Sequence, residues 1–254
     1  MTRIAIFAGP SVPPESRNIG PGVTWLPPAQ AGDFLKLLGE GFDAIALIDG
    51  YFDHCPASWH KEILVTMAEG ISVVGASSMG ALRAAELDNY GMVGVGAIYQ
   101  AYRRGLLTGD DEVALVHAPE RLGWKPLSVP MVEVRATLLL ALRHGLLDRE
   151  NARRLRDTAH DIHFIDRDWP RLARLWLDIG IDDKRVDWVV RHHVALKRMD
   201  AMACIHLAAS GRIASPAIQH VPQTVFLNQL QSAVSASAFS AREKSVSPAP
   251  SLNG

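Results

Sequence analysis

The residues best suited to chemistry in this sequence lie in one short stretch, Gly75-Ala-Ser-Ser-Met-Gly-Ala-Leu-Arg-Ala-Ala-Glu86. A strand-like apolar run, Ile71 to Gly75, leads into Ala76-Ser77-Ser78-Met79-Gly80, and an Ala- and Leu-rich helical segment, Met79 to Leu87, follows. Small residues on both sides of a serine let the chain turn sharply from strand to helix. This is the nucleophile-elbow arrangement, with Ala76 in place of the first glycine. Such a turn sets Ser78 at the helix N-terminus and leaves the Met79 backbone N–H facing a developing oxyanion, aided by the helix dipole. The plainer alternative is that Ser77 or Ser78 only caps the helix. A phosphate-binding turn fits less well, because no Walker lysine follows and Gly75 and Gly80 do not make a dinucleotide fingerprint.

A serine nucleophile needs a proton acceptor. The sequence offers His60 and Lys61, in Pro56-Ala-Ser-Trp-His-Lys-Glu-Ile-Leu64, at the start of the helix that precedes the Ile71 strand. Loops after parallel strands share one edge of the sheet, so this helix start and the Ser78 turn are expected in one crevice. Lys61 would sit in a first helical turn, where the dipole disfavours its charge and makes a neutral amine more available. Its alternative is a surface lysine paired with Glu62 or Glu69. Successive helical residues point about 100° apart, so His60 and Lys61 do not serve one site equally. Gly9 and Gly50 end strands at the same edge, and their loops are candidates for a second oxyanion donor beside Met79. Arg83 and Glu86 lie one turn apart on the following helix and pair there or support the site.

Other marked residues carry less. Asp110, Asp111 and Glu112 precede His117, but consecutive carboxylates diverge, so they read as a favourably charged helix start and no metal site is expected. His160, His163, His192 and His193 fall in a helical region and read as surface or packing residues. Cys55 and Cys204 are the only cysteines in 254 residues, too few for a disulfide framework.

The elements that must hold the Ser78 turn follow from the apolar runs. Ile4 to Ala8, Val23 to Leu26, Ala44 to Ile48 and Ile71 to Gly75 read as strands, uniformly apolar as in a sheet covered on both faces. Asp33 to Glu40, Trp59 to Ala68 and Met79 to Leu87 read as helices between or after them. That alternation predicts an α/β fold with a mostly parallel sheet flanked by helices. Beyond about residue 130 the character turns helical, over Val132 to His144, Arg149 to His160, Asp168 to Leu177 and Lys184 to Ala209. The expected organisation is an α/β core over 1–130, a helical region packed on it over 131–231, and a Ser-, Ala- and Pro-rich tail over 232–254 without stable structure. With 26 Lys and Arg against 27 Asp and Glu, the net charge is −1, which gives no electrostatic footprint for nucleic acid or an anionic membrane. The N-terminal apolar run is too short for a signal peptide and no stretch reaches membrane-spanning length, so a cytoplasmic protein is expected.

Several segments taken together resemble the TfuA-like family. They are Phe7-Ala-Gly-Pro-Ser11, Pro27-Pro-Ala-Gln-Ala-Gly-Asp33, Ile48-Asp-Gly-Tyr-Phe52, His60-Lys-Glu-Ile-Leu64, the Gly75–Glu86 stretch, Gly91-Met-Val-Gly-Val-Gly-Ala-Ile-Tyr99 and Asp110-Asp-Glu-Val-Ala-Leu-Val-His117. They occur in order over the first half of the chain. Ser78-Met79-Gly80-Ala81 also resembles the nucleophile segment of Clp-type serine peptidases. Proteins of the TfuA-like family accompany YcaO enzymes, which activate a peptide amide with ATP and replace its oxygen with sulfur. The resemblance implies hydrolysis of the thiocarboxylated C-terminus of a small ThiS-like sulfur-carrier protein, releasing sulfide for the YcaO partner. It implies no cofactor. It further implies a Ser–Lys pair, which falls on Ser78 and, through the His60–Leu64 match, on Lys61. Ser77 is the rival nucleophile. The competing reading is a non-catalytic adaptor that binds the YcaO enzyme and promotes its peptide binding.

Overall fold

The computed structural model describes residues 2–52, 55–213 and 221–246, and for 237–246 the helical backbone alone. Five parallel strands form one sheet: β1 (Ile4–Phe7), β2 (Val23–Leu26), β3 (Ala44–Leu47), β4 (Ser72–Ala76) and β5 (Val93–Val95), in the order β2-β1-β3-β4-β5. The order reverses between β1 and β3, so their carboxyl ends splay and open a crevice of the kind that binds ligands in doubly wound sheets. The expected α/β class and parallel sheet hold. β5 is an addition to the four expected strands. Its three residues, Val-Gly-Val, are too few to show a pattern, and its glycine suits the Tyr99 ring that packs over Gly94.

The helices are α1 (Asp33–Lys36), α2 (His60–Ala68), α3 (Met79–Leu87), α4 (Gly96–Arg103), α5 (Met131–Arg143), α6 (Arg149–His160), α7 (Trp169–Asp178), α8 (Asp183–Arg191), α9 (Leu196–Ala209) and α10 (Val225–Val246). Side chains alternate across the sheet. Ala5, Phe7, Ile45, Leu47 and Val73 face the layer of α1 to α4, while Ile4, Ile6, Ala44, Ala46, Ile48 and Val74 face α9 through Ala201, Cys204, Ile205 and Ala208. Both faces are therefore covered, which is why the strands are apolar throughout. A third core, around Leu138, Leu155, Leu172 and Trp176, belongs to α5 through α8.

Two expectations are corrected. The helical run from Lys184 to Ala209 is two helices, broken at residues 192–195, so that α9 leaves the helical cluster and crosses the sheet. The stretch from Ser232 is helical as far as Val246, because Leu227, Leu230 and Val234 recur at helical spacing; the latter two close on Gly32 at the start of α1. Residues 247–254 lie outside the described residues.

The loop before α1 is held to α2 by a buried carboxylate. Glu62 accepts the N–H groups of Trp59 (2.7 Å), Gly32 (2.8 Å) and Phe34 (3.3 Å). Burial pushes its carboxyl up to about 7, against the pull of those amides. A folded-state value above the unfolded one means that this group's stabilisation is complete below the ordinary carboxylate range and is lost as pH rises through about 7. The swing is about 3 kcal/mol. Urea unfolding across pH 5 to 8 is expected to show a steeper decline for the wild type than for Glu62→Gln. The slope carries the comparison, since the amide NH2 cannot accept a backbone N–H and lowers stability at every pH. Equal slopes would place the dependence on another group.

Candidate functional site

Ser78 lies at the end of β4, where the chain turns into α3. The turn is tight: Ser77 has φ of 70°, a left-handed conformation uncommon for a residue with a side chain, and Ser78 has φ −112° and ψ −121°. Ser78 is 3% exposed and lines a cavity of about 160 Å³ at the β1/β3 switch point. Its walls include Gly50, Tyr51 and Phe52 on one side and residues 113–117 on the other.

The partner of Ser78 is Lys197, in the first turn of α9. Its Nζ donates to Ser78 Oγ at 3.0 Å and to the Val113 carbonyl at 2.8 Å. Burial lowers the Lys197 pKa; Asp49 and, less strongly, Glu133 push it back up. A buried lysine with a depressed pKa is a competent general base. The break before α9 sets this position, and two carboxylates fasten it. Glu133 accepts the Lys197 backbone N–H (3.3 Å), and Asp200 accepts the N–H groups of Ala97 (3.0 Å) and Ile98 (2.8 Å) at the start of α4.

Lys61 is not at this site. Its Nζ donates to the Pro222 carbonyl at 3.1 Å, on the segment before α10. The expectation of a shared crevice fails because a long loop separates β3 from α2. Its first residues, Gly50 to Phe52, line the cavity, and the rest carries the helix start away. His60 also points elsewhere, sharing Glu86 Oε2 (2.7 Å) with Arg83 (2.6 Å). Arg83 additionally donates to the Ser58 carbonyl (2.9 Å), so Arg83 and Glu86 pin the loop to α3 and do not line the cavity.

The remaining expected residues divide. Ser77 is buried and donates to Ser11 Oγ at 2.9 Å. Ser11 donates in turn to Asp49 Oδ1 (2.7 Å), while Asp49 Oδ2 accepts the N–H groups of Gly9 (2.8 Å) and Ser11 (3.0 Å). Ser77 is thus tied into a network behind the cavity, and the Gly9 N–H is already occupied. Gly50 is different. In its parallel bridge with Ala29, the bonds run through Asp49 and Tyr51, so the N–H of Gly50 itself points away from Ala29, toward the β4 side. Among the described residues, neither the Gly50 nor the Met79 N–H has a hydrogen-bond acceptor. Gly50 lies so close to Met79 that a Cβ there would stand 2.8 Å from Met79 Cγ. Among the described residues both amides therefore stand without an acceptor next to the Ser78 turn.

The acidic run does not join the site. Glu112 is gripped by Arg135 through two guanidinium nitrogens (2.6 and 2.9 Å). Among the described residues no group of three or more His, Cys, Asp or Glu is arranged to hold a metal ion, and no helix is long and apolar enough to cross a membrane.

The fold and this geometry define a doubly wound α/β protein with a buried serine–lysine pair at the switch point of its sheet. Residues 49–168, just under half of the chain, match the family model described as TfuA-like protein, so the resemblance read from the sequence holds. The matched span includes Asp49, Gly50, Ser78, Met79 and the 113–117 wall, and ends before Lys197. A TfuA-like segment associates the protein with YcaO-dependent thioamidation. No curated protein matches the chain.

Proposed function

We propose that this protein hydrolyses the thiocarboxylated C-terminus of a ThiS-like carrier protein and supplies the sulfide to a YcaO enzyme. The observation that carries the reading is the 3.0 Å contact between Lys197 Nζ and Ser78 Oγ in the cavity at the switch point. Neutral Lys197 takes the Ser78 hydroxyl proton as Oγ attacks the thiocarboxylate carbon. Negative charge gathers on the carbonyl oxygen, which the N–H groups of Met79 and Gly50 receive. As the C–S bond breaks, the Lys197 ammonium passes that proton to the departing sulfur, hydrosulfide leaves, the amine is neutral again, and the carrier is held as an ester on Ser78. Water then attacks that ester and gives up a proton to Lys197. Cleavage of the bond to Oγ, with return of a proton to Ser78, leaves the carrier carboxylate. Net, thiocarboxylate and water become carboxylate, hydrosulfide and a proton. Val113 anchors the lysine, and Asp49 with Ser11 and Ser77 holds the elbow. In this reading the catalytic unit is the sheet with α1 to α4 together with α9, and α5 to α8 form an attached helical subdomain.

The test is mass spectrometry of a thiocarboxylated ThiS-like carrier incubated with the protein. Wild type is expected to replace sulfur with oxygen. Ser78→Ala is expected to lose about 10⁴-fold or more in rate, while Ser77→Ala keeps the chemistry. Hydrolysis by Ser78→Ala at the wild-type rate would overturn the mechanism; an inert wild type that still raises the YcaO enzyme's peptide affinity would establish the adaptor role instead.

A further inference from the structure

We propose that the main-chain edge at Leu115–His117 binds the carrier's C-terminal tail as an added β-strand and delivers its end to Ser78. The inference rests on the hydrolase reading above. His117 is bridged antiparallel to Pro126, through Leu127 N–H to the Val116 carbonyl (2.8 Å) and Ala118 N–H to the Lys125 carbonyl (2.8 Å). The Val116 N–H also turns to this side, donating to Ser128 Oγ at 2.8 Å. Backbone direction alternates along an extended segment, so Leu115 and His117 direct their own N–H and C=O groups to the opposite side. Among the described residues those groups have no protein partner. An unpaired edge of this kind accepts an extended peptide through main-chain hydrogen bonds.

Its position makes the edge specific to this reaction. Residues 113–117 form one wall of the cavity that holds Ser78, and Val113 carries the carbonyl that Lys197 grips. A strand laid along Leu115–His117 therefore runs toward the nucleophile. From His117 to Leu115 the rise is about 7 Å, at roughly 3.3 Å per residue, and the chain then turns at Val113 (φ −109°, ψ −9°) beside the lysine. The opposite wall approaches through Gly50, where no side chain fits. The cavity volume, about 160 Å³, is small beside the roughly 300–1,000 Å³ of pockets for drug-sized ligands. It suits a slim tail end, with glycine or another small residue next to the reacting carbon. At the rim, Ile165 is 55% exposed beside Phe164 and the edge, an apolar rest for the carrier's folded body.

The experiment uses short synthetic peptide thiocarboxylates ending in two glycines, with single N-methyl groups placed at successive amides, turned over by the full-length wild-type protein. An edge strand uses every second amide. Methylation is expected to lower kcat/KM about tenfold or more at alternate positions and to change it less than about threefold between them. Uniform tolerance, or uniform loss without alternation, would overturn the edge. If no thiocarboxylate is turned over at all, the hydrolase reading fails. The edge is then read by fluorescence anisotropy of the corresponding carboxylate peptides, where the same alternation in Kd supports it and its absence, or no measurable binding, refutes it.

Discussion

Lys197→Met is expected to reduce thiocarboxylate hydrolysis by about 10²- to 10⁴-fold, while Lys61→Ala leaves it near wild type. Lys197 Nζ is the only amine in contact with Ser78 Oγ among the described residues. The hydroxyl therefore has no other acceptor when that amine is gone. Lys197→Arg is expected to be as poor as the methionine variant. Guanidinium stays protonated across the working range and cannot take the proton. The pH profile follows from the same environment. Burial lowers the Lys197 pKa, and Asp49 and Glu133 only partly restore it. Activity should rise with pH as the amine loses its proton and level off above the depressed value. Removing a nearby carboxylate takes away a group that favours the charged amine, so Glu133→Gln should shift the rising limb to lower pH. Steady-state kcat and kcat/KM from pH 5 to 10 read each of these, with circular dichroism to confirm that the variants fold. A Lys197→Arg protein with normal kcat, or a Lys61 variant as damaged as Lys197→Met, would sink the assignment.

Local sequence points to Lys61 and not to Lys197 for a physical reason. The elbow is a local feature: a strand, five small or serine-flanking residues and a helix are contiguous, so the turn and Ser78 are legible from residue types. The placement of the two serines is legible for the same reason, since geometry of the turn puts Ser78 at the tip and Ser77 behind it. Lys197, the proposed base, lies 119 residues from Ser78 in sequence. No local rule connects the two, and the lysine nearest the elbow in sequence competes for attention. One signal was present. Lys197, Ala201, Cys204 and Ala208 recur at helical spacing, and the last three are small apolar residues of a buried stripe. A lysine on that stripe has to be buried and partnered. The break before that stripe carries no local mark, because Arg191-His-His-Val-Ala195 contains neither glycine nor proline. The same logic explains the tail. Its Ser and Pro content points to no structure, yet Leu227, Leu230 and Val234 are enough to seat a helix against α1. The strands were legible because both sheet faces are covered. The short α1 was overestimated, since Phe34, Leu37 and Leu38 are apolar at helical spacing but the chain leaves the helix after Lys36.

Gly80→Ala is expected to destabilise the protein by about 3 kcal/mol or more, a larger loss than at any glycine replaced in open space. Gly80 is in the first turn of α3, and a Cβ there would run into the Leu47 carbonyl at the end of β3. The neighbouring contact is as close: a Cβ on Gly75 would run into the Gly80 carbonyl. These are backbone atoms of two strands and a helix, so no side-chain rotation relieves the clash, and α3 must lift off the sheet. Gly105 offers the contrast. Its φ is +68° with nothing within 4 Å of the added atom, so Gly105→Ala pays only the left-handed backbone cost of about 1 to 2 kcal/mol. The consequence for the site follows from what the close approach accomplishes. Gly80 N–H donates to the Ile48 carbonyl (3.3 Å), as does Ser78 N–H (3.3 Å), so the elbow is bonded to the end of β3 immediately before Asp49 and Gly50. In the proposed mechanism the Met79 and Gly50 amides receive one oxygen, which requires that seam to stay closed. Urea unfolding measures the stability arm, and hydrolysis under conditions where the variant remains folded measures the other, with the fall expected in kcat because the oxyanion forms only in the transition state. A Gly80→Ala protein as stable as wild type, or one that is folded and fully active, would show that α3 can move away from β3 without opening the oxyanion site, and the role given to Gly50 would fall with it.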